Sequence, residues 1–351
     1  MSVLIATDAW RPQVNGVIRT LTSLEKACAR LGVEIRFLTP EGFPSFPVPT
    51  YPGLRLAIPS RREVARRVAE AGAEAIHIAT EGPIGWSARA YCRRRGLAFT
   101  TCYATRFPEY VSLRTGLPEA VGYALMRQFH AAAASTMVAT TSLREELARR
   151  GFNRLSAWTR GVDTELFNPG NPASIDLPRP IFMSVGRIAV EKNLEAFLSL
   201  DLPGSKVVIG DGPQLEELKR RFPQAAYLGE KTGKELASHI AAADVFVFPS
   251  VTDTFGIVQL EALACGVPVA AFPVTGPLDL LADRPIGALD NDLKSACLRA
   301  LGLSRELCRD FALTHSWENC ARQFINNLVP AHAARARRPA GVLADHKPAR
   351  G

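Results

Sequence analysis

One carboxylate stands out in the stretch "PSVTDTFGIVQLEALACG" (249–266), because Glu261 lies on an otherwise apolar, helix-like run eight residues after Asp253. Burying an ionised carboxylate costs free energy unless a charged or hydrogen-bonding group meets it. The partner of the Glu261 carboxylate is either a group of the protein core or a bound ligand. The pattern therefore marks Glu261 as a candidate binding residue, with a core partner as the alternative.

The residues before Glu261 form a predicted turn at the end of a buried strand, "DVFVFPS" (244–250), with Asp253 and Thr254 in the turn itself. The first backbone N–H groups of a helix have no partner within it. Three such groups are predicted to face outward at the start of the next helix, those of Phe255, Gly256 and Ile257.

Two cations precede this stretch in positions that suit a diphosphate. Arg187 follows Gly186, which ends a strand-like run, and Lys192 lies five residues further on at a predicted helix start. Such cations can neutralise a diphosphate both when it binds and when it leaves. The alternative for Lys192 is a surface ion pair with Glu191 or Glu195.

Two further turns follow predicted strands. Asn15 and Gly16 open a helix whose free N–H groups can meet an anion, although an ordinary strand-to-helix turn remains the alternative. Gly210 and Asp211 lie in a tight turn before Pro213 at a helix start, which by itself is weak evidence for a site. The GxGxxG pattern expected of a dehydrogenase is missing from the first turn.

The elements that must position these residues alternate between short apolar runs and amphipathic helical stretches, which is typical of βαβ units and parallel sheets. A Pro-, Asn- and Gly-rich stretch interrupts the alternation and predicts a hinge. The sequence thus predicts an α/β protein with two doubly wound sheets facing across a cleft. Four segments follow: a first domain (1–166), a linker (167–179), a second domain (180–330) and a basic, disordered tail (331–351).

Composition limits the class of protein. The chain has 351 residues with 47% hydrophobic residues, and no run reaches the length of a membrane-spanning helix. The start of the sequence shows no signal-peptide pattern, so a cytoplasmic location is expected. The seven cysteines form no CxxC pair, and no DxD-type acidic cluster is evident. We therefore expect no metal site, no disulfide framework and no cofactor.

The net charge of +8 is unevenly spread, with 22 basic and 14 acidic residues in 1–166 against 15 and 19 in 167–330. This asymmetry indicates an anionic partner for the first half. Arginines cluster at 61–67 and 89–96, either as a solvated face or as an attachment to anionic lipid headgroups at the inner face of the cell membrane. Nucleic acid is not expected, because these runs carry little aromatic interleaving.

The sequence resembles the GT4 family of retaining glycosyltransferases over nearly its whole length, and looks most like bacterial α-mannosyltransferases and glycolipid-forming members. The element from Asp253 to Glu261 resembles that family's Glu-x7-Glu motif, with Asp in the first position. The resemblance is carried by the segments "PQVNGVIRT", "HIATEGPIGWSARAYC", "TRFPEY", "TRGVDTELFNP", "VGRIAVEKN" and "PSVTDTFGIVQLEALACG".

This resemblance implies a GT-B fold, a UDP- or GDP-linked sugar donor held by the second domain, and a lipid or glycan acceptor held by the first. It implies that Glu261 binds the ribose hydroxyls and that Asp253 binds the sugar. Arg187 and Lys192 would take the diphosphate, which Gly16 lets the opposite backbone approach. Further substrate contacts are expected along the matching segments, at Asn15, Glu81, Arg106, Gly186, Gly210, Asp211 and 254–257.

One departure from the family concerns Ala104, which stands where relatives usually have a histidine near the transferred sugar. A methyl group neither donates nor accepts a hydrogen bond. His77 and His130 are the nearest alternatives, yet their places in a strand and on a helix favour structural roles. The alternative function is therefore a nucleotide-sugar-binding protein with impaired catalysis.

As the family implies, an acceptor hydroxyl would replace the nucleoside diphosphate with retention at the anomeric carbon. No side-chain nucleophile is obvious, so front-face attack is favoured, with the departing phosphate accepting the proton. The protein then contributes positioning and charge stabilisation. A GT-B epimerase or phosphorylase is a rival, but neither extra acid/base carboxylates nor a lysine for pyridoxal phosphate is visible.

Overall fold

A computed structural model describes residues 1–11, 16–48 and 51–332. Asn15 and all but the first two residues of the predicted tail lie outside these ranges. The strands are β1 (Ser2–Ala6), β2 (Glu34–Leu38), β3 (Ser45–Val48), β4 (Tyr51–Ala57), β5 (Ala75–Ile78), β6 (Thr100–Tyr103), β7 (Ser135–Val138), β8 (Leu155–Ala157), β9 (Ile181–Val185), β10 (Ser205–Ile209), β11 (Ala226–Tyr227), β12 (Val245–Phe248), β13 (Val269–Ala271) and β14 (Gly287–Leu289).

The α-helices are α1 (Gly16–Arg30), α2 (Arg61–Ala71), α3 (Pro83–Arg95), α4 (Phe107–Thr115), α5 (Glu119–His130), α6 (Thr141–Arg149), α7 (Leu194–Leu198), α8 (Leu215–Arg221), α9 (Gly233–Ala241), α10 (Ile257–Ala264), α11 (Pro277–Leu281), α12 (Leu293–Ala300), α13 (Arg305–Leu313) and α14 (Trp317–Asn327). A short 3-10 helix covers Val190–Lys192. Several helices start where the sequence places a capping side chain. Ser60, Thr140 and Ser304, for example, each accept the N–H group three residues on.

Twelve of the described strands form two parallel sheets of six. Their orders are β2-β1-β5-β6-β7-β8 and β11-β10-β9-β12-β13-β14. In each sheet the chain moves outward from a central strand and then returns to that strand's other side, β5 beside β1 and β12 beside β9. The carboxyl ends of these strands border the crevice where such sheets bind ligands. The predicted pair of doubly wound sheets is therefore confirmed.

The apolar runs of the sequence form the core because the strands of a parallel sheet are covered on both faces. The second sheet has an almost entirely apolar interior, with Ile181, Val207 and Phe246 fully buried. Helix α10 packs on this sheet and is itself buried over most of its length. The position of Glu261 is therefore set by an apolar scaffold.

The last described helix, α14, returns to the first sheet. Its Cys320, Ala321 and Phe324 are buried together with Val3 and Ile5 of β1. The domain boundaries stay a prediction, but this packing attaches part of the segment 180–330 to the first sheet. An apolar helical face packs on whichever sheet leaves matching apolar surface uncovered, and the sequence pattern of the helix does not specify which one.

His77 lies inside β5 and is fully buried, as its place in an apolar run suggested. Its Nδ1 is 2.9 Å from the Thr100 hydroxyl, and its ring meets Trp158 and Phe324 edge-on. Burial, aided by the charge of Arg160, lowers the pKa of His77 to about 3. The neutral ring is therefore part of the core.

We expect this histidine to make the fold acid-sensitive. Unfolded histidine titrates near about 6.5, so the unfolded state binds the proton more readily and stability falls as the pH drops from 6.5 toward 3. The His77 contribution is about 2 kcal/mol of unfolding free energy lost between about pH 7 and pH 5. Urea unfolding at both pH values measures it.

A His77→Gln variant should lose this part of the pH dependence, whereas His239→Gln, on the half-buried face of α9, serves as the matched control. An unchanged pH dependence in His77→Gln would contradict the assignment.

Candidate active site

The predicted residues of the second domain lie at one edge of its sheet. Strands β10, β9 and β12 are neighbours, and each is followed by a segment that the sequence marked. Gly186 and Arg187 follow β9, Gly210 and Asp211 follow β10, and 249–256 follows β12. The parallel arrangement therefore brings these three segments together, as strand ends of parallel neighbours must meet at one edge.

Gly210 allows two of these segments to touch. A Cβ atom at Gly210 would lie 1.9 Å from the carbonyl oxygen of Gly186, and the residue has a φ of +144°. The N–H group of Ile188 donates to the Asp211 carbonyl at 2.9 Å, which extends the contact past the end of the strands. The backbone carrying Arg187 is therefore held against the following turn, and Gly210 has a structural reason for being glycine.

Lys192 forms an ion pair with Asp253. Its Nζ lies 2.8 and 2.7 Å from the two carboxylate oxygens, and both side chains are mostly buried. The structure thus pairs Lys192 with neither Glu191 nor Glu195, the partners of the surface alternative. An ammonium group has three donors, so this pair leaves one for a further acceptor.

The turn after β12 is fixed to the 3-10 helix of Lys192. The hydroxyls of Ser250 and Thr252 both donate to the Glu191 carbonyl, at 3.1 and 3.2 Å. The Asn193 amide donates back to the Pro249 carbonyl at 3.2 Å. These contacts place the Lys192 ammonium and the Asp253 carboxylate in one rigid cluster.

Helix α10 begins after Gly256, whose φ of +77° is in the left-handed region. A Cβ atom there would lie 2.6 Å from the Phe248 ring and 2.7 Å from the Gln259 amide. Gly256 thus lets the chain turn tightly from the end of β12 into the helix. Phe255 before it is buried, while Thr254 and Ile257 are half-buried at the edge.

Glu261 is buried on α10 with 3% of its surface exposed. Burial raises the pKa of Glu261, and the charge and hydrogen bond of Arg19 oppose this rise. Arg19 belongs to α1 of the first sheet and forms an ion pair with Glu261 Oε1. The partner of Glu261 in the structure is therefore a cation from the opposite side of the crevice, which the sequence reading did not consider.

Two further contacts join the facing edges. The Thr254 hydroxyl donates to the Ala104 carbonyl at 2.9 Å. The N–H group of Ser142, at the start of α6, donates to Asp279 at 2.9 Å. Ala104 accepts this hydrogen bond through its backbone carbonyl, so the contact with Thr254 does not depend on the side chain at position 104.

Glu81 lies in the turn after β5, at the same edge as Ala104. Its Oε1 is 3.2 Å from His130 Nε2, and both side chains are almost fully buried. The other ring nitrogen of His130 lies 2.9 Å from the Thr101 hydroxyl. His130 therefore packs behind the sheet edge, in agreement with a structural role, and draws Glu81 toward the core of the first domain.

Arg106 lies in a buried network of carboxylates. Its guanidinium donates to Glu109 at 2.7 Å and to the two oxygens of Glu146 at 3.2 and 2.7 Å. The Tyr123 hydroxyl donates to Glu109 at 2.6 Å. This network joins α4, α5 and α6, so the structure places Arg106 in the support of the first domain.

The structure thus joins Lys192 to Asp253 and the Gly186 backbone to Gly210, at one edge of the second sheet. It places two first-domain candidates, Glu81 and Arg106, among buried partners. Sequence reasoning missed Arg19 and Asp279, which act across the crevice. Arg19 lies three residues after Gly16, one helical turn into α1, and this spacing to a marked residue was the available signal. Within 1–11, 16–48 and 51–332, no group of three or more His, Cys, Asp or Glu side chains could hold a metal ion.

Two parallel α/β sheets that meet across a crevice define a two-domain α/β protein of the GT-B type, and comparison with known proteins gives the family. The model for glycosyltransferase family 4 matches residues 14–166, and that for glycosyl transferases group 1 matches residues 179–301. The chain belongs to this family of glycosyltransferases and is an enzyme of that class.

Relatives of known name and structure agree with this placement. A GDP-mannose-dependent alpha-mannosyltransferase from Mycobacterium tuberculosis is 30% identical over 315 residues, which cover 82% of this chain and 83% of the relative. Sulfoquinovosyl transferase SQD2 from Arabidopsis thaliana is 32% identical over 70% of this chain and 52% of its own length.

Solved structures of glycosyltransferases confirm the GT-B fold. Sucrose-phosphate synthase from Thermosynechococcus elongatus superimposes with a TM-score of 0.74 at 20% identity, over 93% of this chain and 97% of that chain.

Proposed function

We propose that this glycosyltransferase moves a hexose from a nucleoside diphosphate sugar to a hydroxyl of a lipid or glycan, with retention at the anomeric carbon. The observation that carries the proposal is the cluster at the edge of the second sheet. There Lys192 pairs with Asp253, and the neighbouring Thr254 donates to the Ala104 backbone across the crevice. Arg187 follows β9, the strand beside β12. Cations for a diphosphate and a carboxylate for hydroxyl groups are the chemistry that such a donor requires.

Arg187 and Lys192 would bind the diphosphate. Lys192 keeps one N–H donor beyond its two contacts to Asp253, so the pair can accept a phosphate oxygen without separating. Asp253 would accept hydrogen bonds from the sugar, and Glu261 from the ribose. The N–H groups at the start of α10, together with Gly16 across the crevice, would add backbone donors.

In the proposed reaction, the acceptor oxygen forms a bond to the anomeric carbon while the bond from that carbon to the β-phosphate oxygen breaks. The electron pair of the broken bond stays on the diphosphate, which takes the acceptor's proton. Front-face attack of this kind needs no side-chain nucleophile. The protein accelerates it by stabilising the charge that grows on the diphosphate.

We propose a class of donor: mannose, glucose or a uronic acid linked to UDP or GDP. The mannosyltransferase named above uses GDP-mannose according to its name, and it is similar along most of this chain. The acceptor class rests on the first domain, whose basic character suits an anionic lipid and whose crevice suits a glycan equally well. We expect neither a metal ion nor another cofactor to take part.

Donor turnover by the purified protein tests the function. A panel of UDP and GDP sugars is incubated with membrane lipid and, separately, with polysaccharide acceptors, and released nucleoside diphosphate is compared with sugar transfer. Transfer from one donor with retained anomeric configuration supports the proposal. Binding of a nucleotide without transfer to any acceptor contradicts it.

A second candidate function is a nucleotide-sugar-binding protein with impaired catalysis, and Ala104 is the observation that favours it. The Ala104→His variant distinguishes the binding protein from the active enzyme. The Thr254 hydroxyl donates to the backbone carbonyl of residue 104, so this substitution keeps that contact. Transfer by the wild type excludes the binding protein. Transfer that only Ala104→His performs establishes it.

We also propose that exposed arginines attach the first domain to an anionic membrane surface. None of the helices in the described ranges is long and apolar enough to span a bilayer. Arg61 and Arg62 are exposed at the start of α2, whereas the exposed group 93–95 ends α3. Helix α2 ends just before β5 and α3 ends just before β6, so both helices end at the same edge of the first sheet, the one where its strands begin. The arginines at the start of α2 and those at the end of α3 therefore lie at opposite edges of that sheet.

The start of α2 lies toward the catalytic edge, so Arg61 and Arg62 should dominate the attachment. Other arginines of these runs are engaged within the protein: Arg66 pairs with Glu63, and Arg89 donates to the Phe129 carbonyl. Replacing both Arg61 and Arg62 by alanine should weaken the affinity for anionic vesicles, measured by sedimentation, about 30-fold, since each basic residue near such a surface contributes about 1 kcal/mol. The matched control replaces Arg93 and Arg94. Equal sedimentation with neutral vesicles would contradict the attachment.

A further inference from the structure

Arg19 connects the two domains at the nucleotide side of the crevice. It lies on α1, one turn after Gly16, and its guanidinium pairs with Glu261 Oε1 of α10. The Arg19 side chain is 37% exposed and the Glu261 side chain only 3%. The cation therefore stands at the mouth of a buried carboxylate that belongs to the other domain.

Only one oxygen of Glu261 is used by this pair. Oε2 is buried and has no hydrogen-bond partner within the part of the chain that the structure describes. A buried acceptor without a donor costs about 1–3 kcal/mol of stability, so such an atom marks a place where a donor group binds. The hydroxyl groups of a ribose are donors of the required kind.

The position of Arg19 is fixed by a second contact. Its guanidinium carbon lies 5.9 Å from the centre of the Phe167 ring, and Phe167 is buried at the start of the linker between the domains. The Phe167 carbonyl in turn accepts a hydrogen bond from Arg309 at 2.7 Å. Arg19 is thus held between α10 and the predicted hinge when the domains lie as they do here.

We propose that Arg19 is a positioning residue for the donor nucleotide. It occupies Oε1 of Glu261 and leaves Oε2 to accept a hydrogen bond from a ribose hydroxyl. Since Arg19 belongs to the first domain, the arrangement exists only when the crevice is closed. Ribose binding and domain closure therefore stabilise each other. This inference rests on the proposed nucleotide-sugar donor.

A competing role predicts the opposite sign. If Arg19 blocked the ribose site, the nucleotide would have to displace it, and removing Arg19 would tighten binding. If Arg19 only stabilised the fold, its removal would weaken every ligand of the cleft alike. The contribution of the ribose hydroxyls to affinity distinguishes these roles.

The test is calorimetric titration with the nucleoside diphosphate that the wild type binds, chosen among UDP, GDP and ADP, and with its 2′,3′-dideoxy analogue. Arg19→Ala is compared with Arg19→Gln, which keeps much of the length without the charge, and with Arg19→Lys, which keeps the charge. Arg30→Ala, exposed at the far end of α1, is the matched control. Thermal unfolding of each variant identifies those that fold.

We expect Arg19→Ala and Arg19→Gln to bind the nucleoside diphosphate about tenfold more weakly, a loss typical of one hydrogen bond to a charged group. The dideoxy analogue should bind them as it binds the wild type, and Arg19→Lys should recover part of the loss. If Arg19→Ala fails to fold, the Gln and Lys variants carry the same comparison.

Tighter binding by Arg19→Gln, or equal weakening of both ligands, overturns the inference and leaves the proposed function intact. A wild type that binds none of the three nucleotides overturns the proposed function, and the inference with it.

Discussion

Arg187→Ala is expected to lose about 100- to 1000-fold in kcat with a much smaller change in KM, as is typical when a charge-stabilising group is removed. Negative charge grows on the diphosphate as its bond to the sugar breaks, so a cation held there binds the transition state more strongly than the substrate. The Gly186–Gly210 contact holds the Arg187 backbone in place. Steady-state kinetics with the donor identified by the panel measures both constants.

Arg220→Ala is the matched control, because Arg220 is an exposed cation of α8 in the same domain. It should leave both constants unchanged. An Arg187→Ala variant with normal kcat and only a raised KM would refute a role in the transition state and leave Arg187 as a binding residue.

Glu261→Ala is expected to weaken nucleoside diphosphate binding by about 10- to 100-fold, the range for a lost hydrogen bond to a charged group. The carboxylate is buried at the cleft, and its Oε2 lacks a partner in the described residues, so a ligand hydroxyl gains a full acceptor there. Calorimetric titration measures the affinity, with Glu261→Gln as an isosteric companion. The Gln variant removes the charge without opening a cavity.

Glu216→Gln, at an exposed carboxylate of α8, is the control for the loss of one negative charge. Unchanged affinity in Glu261→Ala would remove Glu261 from the binding site. Loss of folding in the Ala variant together with normal affinity in Glu261→Gln would assign Glu261 to the interdomain ion pair alone.

Local patterns were enough to predict the fold. Nine apolar runs were read as strands, namely 2–7, 34–39, 75–80, 98–103, 136–141, 180–186, 206–210, 244–250 and 268–272. They overlap β1, β2, β5, β6, β7, β9, β10, β12 and β13. The short edge strands β8, β11 and β14 and the β3–β4 hairpin were not predicted. Edge strands of two or three residues contain too few side chains to form a recognisable pattern, and their pairing is decided by the strand beside them.

The sequence also located most of the second-domain site. Parallel strands end at one edge, so residues following neighbouring strands must converge there, and Lys192 and Asp253 do so within 2.8 Å. It could not show that Arg106 is held by Glu146, because that partner lies 40 residues away on another helix. For the same reason the partner of Lys192 was sought among its sequence neighbours.

What the sequence determined by itself is therefore the family, the α/β class and the strand-end positions of the candidate residues, since all three depend on local order along the chain. Only the tertiary structure decided what each charge meets. Arg19 and Glu261 lie 242 residues apart on helices that pack on different sheets, and they pair because the two domains face each other across the crevice. Packing between domains depends on complementary surfaces, which no local pattern of residues records.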